Sequence, residues 1–318
     1  MQVKYVRTKS KLHLAVPILW SAVIILGILG SSVSAEYVKS GIALCINTVI
    51  PAVFPFMLIS SLIMVSGCAT ELGSFFRIPL KWIFGTNSGA ACPIALGFLC
   101  GYPVGAISAA DAFDKGDISK KEFEDILTFI NVPSAAFVIG GVGGSMLSSR
   151  KMGITIYVCI LLSAIAVGII GRPFRKKKAD NTVKIPINTP RLPVSAIITE
   201  SISRSARSML VVCACVITFS ALSGTLCAVM PSSEILKVTV SGLFEVSSGA
   251  KAASSVSNNA YAPLLCASVC AWSGVSVHVQ IISACRDRGI SFIPFFISKA
   301  AQAALAPLLL FLYLNFCA

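Results

Sequence analysis

Seven long runs of this sequence contain no Asp, Glu, Lys or Arg: residues 12–35, 40–70, 82–110, 126–149, 152–171, 208–233 and 252–285. A further apolar segment begins at Ile290 and is interrupted only by Lys299. About 20 apolar residues in a helix cross the hydrocarbon of a bilayer, so each run is long enough to span it. Only 12% of the 318 residues are charged, where a soluble domain carries about 25%. The chain therefore reads as an all-α polytopic membrane protein with little room for a soluble catalytic domain.

The charge balance bounds the function further. Lys and Arg number 26 against 13 Asp and Glu. The largest basic block sits between apolar runs, where it sets orientation against the cytoplasmic face, so we expect no nucleic-acid partner. That block holds Arg172, Arg175, Lys176, Lys177, Lys178, Lys184, Arg191, Arg204 and Arg207, with Pro173, Pro186, Pro190 and Pro193 interspersed. Residues 172–194 of it read as a cytoplasmic linker between two membrane halves. Lys4, Arg7, Lys9 and Lys11 precede the first run and hold the N-terminus inside. Residues 1–35 are then a retained transmembrane helix, although Val33-Ser34-Ala35 also resembles a signal-peptide cleavage site. The 12 cysteines form no CxxC pair, and the two histidines, His13 and His278, lie far apart. No metal site, cofactor or enzyme activity is expected.

Residues 36–171 and 195–318 carry the same order of parts. A short mixed element (36–47; 195–207) precedes a helix (49–68; 208–230), then a Gly/Ser-broken stretch (89–113; 238–256), then two helices (126–149 and 152–171; 259–285 and 290–316). If each broken stretch dips in and returns, each half crosses three times and the second half is upside down. The expectation is two inverted-topology repeats with broken re-entrant helical hairpins, in a cell-membrane protein whose N-terminus and linker are cytoplasmic. Arg150-Lys151 would then lie outside, against the positive-inside trend. Unpaired backbone cannot face lipid, so irregular segments mark places where protein or a wet cavity receives it.

Candidate solute-binding residues follow from those breaks. Tyr102, Pro103 and Gly105 fall in Gly101-Tyr102-Pro103-Val104-Gly105-Ala106, where Pro and two Gly suit a hairpin tip; a GxxxG packing face accounts for the glycines alone. Ser119 and Glu122 form a capping-box pattern that starts a helix. Asn131 and Ser134 interrupt an apolar stretch and either bind a solute or cap helix ends. Glu245, Ser247, Ser248 and Gly249 form a second break, in which Glu245 is a membrane carboxylate that faces a partner or cavity, or else pairs with Lys251. Ser273, Ser276, His278 and Gln280 bring polar groups into a charge-free run, with Ser276 and Gln280 on one helix face.

Several of these segments also carry a likeness. Gly101–Ala106, Lys115–Glu122 and Phe137–Gly143, with Phe244-Glu245, Gly249 and Gly274–Gln280 in the second half, resemble the YlbJ-type sporulation integral membrane proteins, in order from about residue 40 to 316. That family is similar to the Gate, or nucleoside-recognition, membrane domains. It commonly has paired asparagines where this chain has Asn131 before Val132-Pro133-Ser134. The resemblance implies a membrane protein needed for spore cortex formation. Together with the breaks it leads us to expect a transporter for a small polar or anionic solute of unknown identity, with a coupling cation and homo-oligomerisation left open. The alternative is a non-transporting membrane scaffold or partner protein in spore-envelope assembly.

Overall fold

A computed structural model describes residues 31–171, 193–231 and 233–316. The proposed N-terminal helix up to residue 30 and most of the basic linker lie outside them. The described residues contain helices and no strand.

Two helices are much longer than the rest. The first runs from α1 (Ser31–Leu44) through a π-helical turn (Cys45–Val49) into α2 (Ile50–Ser66), which ends at Gly67 in the left-handed conformation. The sequence reading of 36–47 as an element separate from 49–68 is therefore corrected. Helical backbone continues across Pro51, just past the π-helical turn, and across Pro55 inside α2, so neither proline divides the segment. The second is α8 (Val194–Ala228). The two pack antiparallel, with Ser34 hydrogen-bonded to Thr225, Gly41 against Ile217 and Cys45 against the Cys213 carbonyl.

Between them in sequence come α3 (Ala69–Phe84), α4 (Ala91–Cys100), α5 (Val104–Asp114), α6 (Lys120–Ile130), a π-helical segment (Ala136–Met146) and α7 (Arg150–Ile170). After α8 come α9 (Glu234–Phe244), α10 (Val246–Ser254), α11 (Ala262–Trp272), α12 (Gly274–Ala284) and α13 (Ile293–Phe316). Five stretches are long and apolar enough to cross a bilayer: Ser34–Ser66, Arg150–Ile170, Val194–Ala228, Ala262–Ala284 and Ile293–Phe316. Their outer faces carry half-exposed aliphatics, such as Ile154, Val158 and Leu162 one turn apart on α7, which suits contact with lipid and not with water. Helix α3 is bent 109° from the helix that follows. It exposes Phe75, Ile78 and Trp82 beside Arg77 and Lys81, a composition fitted to the headgroup region.

Both Gly-bearing breaks are helical hairpins. Helices α4 and α5 turn at Gly101-Tyr102-Pro103, and α9 and α10 turn at Glu245. Each hairpin closes on a pair of glycines. A Cβ on Gly105 would stand 2.8 Å from the Gly97 Cα, and one on Gly249 would overlap the Gly242 Cα. We expect Gly249→Val to abolish a monodisperse folded peak in detergent, because the obstacle is backbone that cannot step aside. Gly140→Ala meets nothing within 4 Å and should leave Tm within about 2 °C of the parent.

Contacts along α8 locate the hairpins. Near its start Arg204 holds Asp111 of α5, near its middle Val212 and Val216 face both hairpin tips, and Ser220 meets Ser248 of α10. Near its end Cys227 meets Lys237 and Ser241 of α9. Arg204 and Cys227 are roughly 34 Å apart at 1.5 Å per helical residue. The hairpins thus reach the middle of α8 from its opposite ends.

Loops at the Arg204 end are stitched by charge. Arg288 pairs with Asp114 at 2.5 and 2.9 Å, and Glu124 accepts from the Ser291 N–H at 2.8 Å. Ser119 caps α6 as its sequence pattern predicts, accepting from the Glu122 N–H. Glu122 does not reach back, however; its carboxylate accepts from the N–H and side-chain amide of Asn87 at 2.8 and 3.1 Å and ties the hairpin base to α6.

Candidate functional site

The centre of the protein holds two helices that stop in mid-bundle, and each leaves backbone carbonyls that lipid cannot satisfy. Helix α6 ends at Ile130, and four carbonyls around its end are met from outside the helical ladder. The Asn131 side-chain amide donates to Leu127 O at 2.9 Å, Gln302 to Thr128 O at 2.8 Å, and Lys299 Nζ to Asn131 O at 2.9 Å. The Tyr102 N–H at the first hairpin tip donates to Val132 O at 2.8 Å. The first tip is thereby fixed on the first break. Gly101, at φ 77°, lets this happen, because a Cβ there would lie 2.6 Å from the Ser134 nitrogen.

Helix α11 stops the same way at Trp272. Ser273 takes a left-handed turn at φ 77°, its N–H donates to Val269 O and its hydroxyl to Cys270 O. His278 Nε2 donates to Trp272 O at 2.9 Å, and the Trp272 indole donates to Leu243 O at the end of α9. Gly274 admits the second tip here, since a Cβ would meet the Val246 nitrogen at 3.0 Å and the Glu245 Cα at 3.1 Å. Each hairpin tip therefore sits on the break of the helix that follows it in its own half.

Glu245 is fully buried at the second tip and caps α10, accepting from the Ser247 and Ser248 N–H groups at 3.0 and 2.6 Å. The positive end of the helix dipole faces its carboxylate. The expected alternative, a pair with Lys251, does not form: Lys251 is exposed, and no salt bridge joins the two among the described residues.

The tips face each other across a cavity of about 40 Å³, whose polar lining is Tyr102, Ser134, Glu245, Ser247 and Gln280, with Pro103 beside them. Apolar side chains of the two long helices, Val49, Val53, Val212 and Val216, close its sides. This volume holds a few water molecules and no organic solute. Of the residues singled out from sequence, these six share the cavity. Gly105 and Gly249 serve hairpin packing, and Ser248 bonds Ser220 at 3.1 Å. Ser134 also caps the π-helical segment by accepting from the Phe137 N–H. Ser276 accepts from Gln280 at 3.4 Å, as their spacing predicts. Asn131, Ser273 and His278 terminate helices outside the cavity. His278 stands among Trp272, Phe295 and Phe296, with ring centroids 4.5, 5.1 and 5.3 Å away. Its Nδ1 and the Asn131 Oδ1 are buried without a hydrogen-bond partner among the described residues.

Lys299 is the feature that sequence reasoning passed over. It is 1% exposed, bonded to Asn131 O and to Gln302 Oε1 at 3.2 Å, with no carboxylate in contact among the described residues. Its signal was available: it is the one charge in the apolar segment from Ile290. Asp111 of α5 is held by Arg204 at 2.9 and 2.8 Å at the end of the bundle.

These features define a class: an all-helical, multi-pass membrane protein in which two helical hairpins bring their tips to one buried polar cavity. Over 309 residues, taking in 86% of this chain and 76% of the relative, it is 25% identical to the sporulation integral membrane protein YlbJ of Bacillus subtilis (strain 168). This is the likeness read from the hairpin and second-half motifs. No family model and no solved structure matches the chain.

Proposed function

We propose that this protein is a secondary transporter or facilitator that moves a small polar or anionic solute across the cell membrane and serves spore cortex formation. In this reading the halves are inverted repeats, with the N-terminus, the basic linker and the Arg204 end of the bundle cytoplasmic. The approach of the hairpins to α8 from opposite ends, and the repeated seating of tip on break, support it. The observation that carries it is Glu245, a fully buried carboxylate at a cavity shared by both tips. An ionisable group inside a membrane bundle is costly and marks a pathway more often than a scaffold. At about 40 Å³ the cavity admits water or a dehydrated ion, so solute passage requires the tips to part. The sporulation role rests on the relative's name and on the family likeness.

The test is flux of nucleosides, amino acids, metal ions and peptidoglycan precursors into proteoliposomes, measured with the parent and Glu245→Gln. Uptake of one class that Glu245→Gln abolishes supports the proposal. Unchanged uptake in the variant removes Glu245 from the mechanism, and no uptake of any class leaves the transporter reading without its activity.

A further inference from the structure

A second, larger cavity of about 240 Å³ lies between α2, α5 and α8 at the Arg204 end of the bundle. Its wall holds Arg204, Arg207 and the serines Ser60, Ser61, Ser205 and Ser208. Arg204 is already neutralised, since one of its amino groups contacts both carboxylate oxygens of Asp111 at 2.9 and 2.8 Å. No carboxylate pairs with Arg207 among the described residues. The cavity thus carries one uncompensated positive charge beside several hydroxyls. Two of them are not engaged by the protein: the Ser205 and Ser61 Oγ atoms are buried with no hydrogen-bond partner among the described residues, and Ser205 is only 2% exposed. Buried hydroxyls in native structures are nearly always met, by protein or by something bound.

The position matters as much as the lining. Val104, in the wall of this cavity, directly follows Pro103 of the tip cavity, Ser208 lies one helical turn before Val212, and Met57 one turn after Val53. The two cavities are therefore stacked along the α2–α8 seam, one helical turn apart, with apolar Met57 and Val104 next to the boundary.

We propose that this cavity is an oxyanion-binding chamber, in which Arg207 and the serine hydroxyls hold a phosphate or carboxylate group, and that it is the entrance from which solute reaches the hairpin tips. A guanidinium with surrounding O–H donors matches the geometry of an oxyanion and offers little to a cation. The entrance role rests on the transport reading above; the binding does not. The same chemistry is met by a free solute or by the headgroup of an anionic lipid entering between helices, and the test separates the two.

Binding of glycerol 3-phosphate, acetate and choline to the full-length protein is measured by calorimetry, in nanodiscs of phosphatidylcholine and of phosphatidylcholine with phosphatidylglycerol. We expect glycerol 3-phosphate or acetate to bind in phosphatidylcholine discs and choline not to. Arg207→Gln, at an exposed position, should weaken binding at least tenfold, and Ser205→Ala severalfold. Anion binding that Arg207→Gln leaves unchanged, or no anion binding in either disc, overturns the chamber. Competition by phosphatidylglycerol that disappears in Arg207→Gln, without binding of either soluble anion, assigns the oxyanion to lipid and overturns the entrance role. Arg207-dependent binding of a soluble anion in a protein that shows no flux leaves the chamber standing and refutes transport instead.

Discussion

Glu245→Gln should abolish transport while leaving the protein folded, and Glu245→Ala should do damage to both. The carboxylate performs two tasks that these variants separate. Structurally it meets the Ser247 and Ser248 N–H groups at the start of α10. Alanine leaves both donors unmet in the bundle interior, at roughly 1–3 kcal/mol for each group, and Tm should fall by many degrees. Glutamine keeps one acceptor oxygen and nearly the same shape, so the loss approaches that of a weakened helix cap, about 1 kcal/mol. Its charge is gone, and with it the group that faces the tip cavity beside Tyr102, Ser134 and Gln280. We expect flux to drop at least tenfold in Glu245→Gln with a Tm change of a few degrees, read by proteoliposome uptake and by thermal melting in the same preparation. Parental flux in Glu245→Gln would reduce Glu245 to a cap.

Both hairpin tips were legible because their chemistry is local. At Gly101-Tyr102-Pro103, a proline inside an apolar run removes a donor while the neighbouring glycine accepts φ 77°. At Glu245, one carboxylate beside Ser-Ser-Gly supplies the acceptor that a helix start needs. Ser276 with Gln280 and the Ser119 cap were readable for the same reason, since their partners lie three or four residues away. Long-range partners were not readable. The bond from Tyr102 N–H to Val132 O, the reach of Gln302 to Thr128 O, and Glu122 turning to Asn87 all depend on how helices pack. The continuous helix through 36–49 was missed because Glu36, Lys39 and Asn47 look like a polar interruption. No residue there breaks a helix, and α8 packs along its length through Thr225, Ile217 and Cys213.

Lys299→Met should cost function and almost no stability, which is the reverse of what a buried structural ion gives when it is removed. A salt-bridged lysine leaves an unpaired carboxylate behind and destabilises strongly when truncated. Lys299 has no such partner; its ammonium donates to the Asn131 carbonyl and the Gln302 amide oxygen. Methionine gives up those two bonds, about 1.5–3 kcal/mol each to a charged donor. It also removes the desolvation of an ammonium, itself several kcal/mol. The two terms oppose each other and are of similar size, so Tm should move by only a few degrees. What is lost is the positive charge holding the end of α6, the helix on whose break the first tip rests through Tyr102 and Val132. Freed of that hold, the tip can no longer be coupled to charge in the bundle, and flux should fall at least tenfold. Gln302→Met is the control: it removes a cap from Thr128 O and one partner of Lys299 but keeps the charge, and it should retain more flux than Lys299→Met. A Tm loss above about 10 °C in Lys299→Met, several kcal/mol for a chain of this size, would mean that the ammonium serves the fold alone.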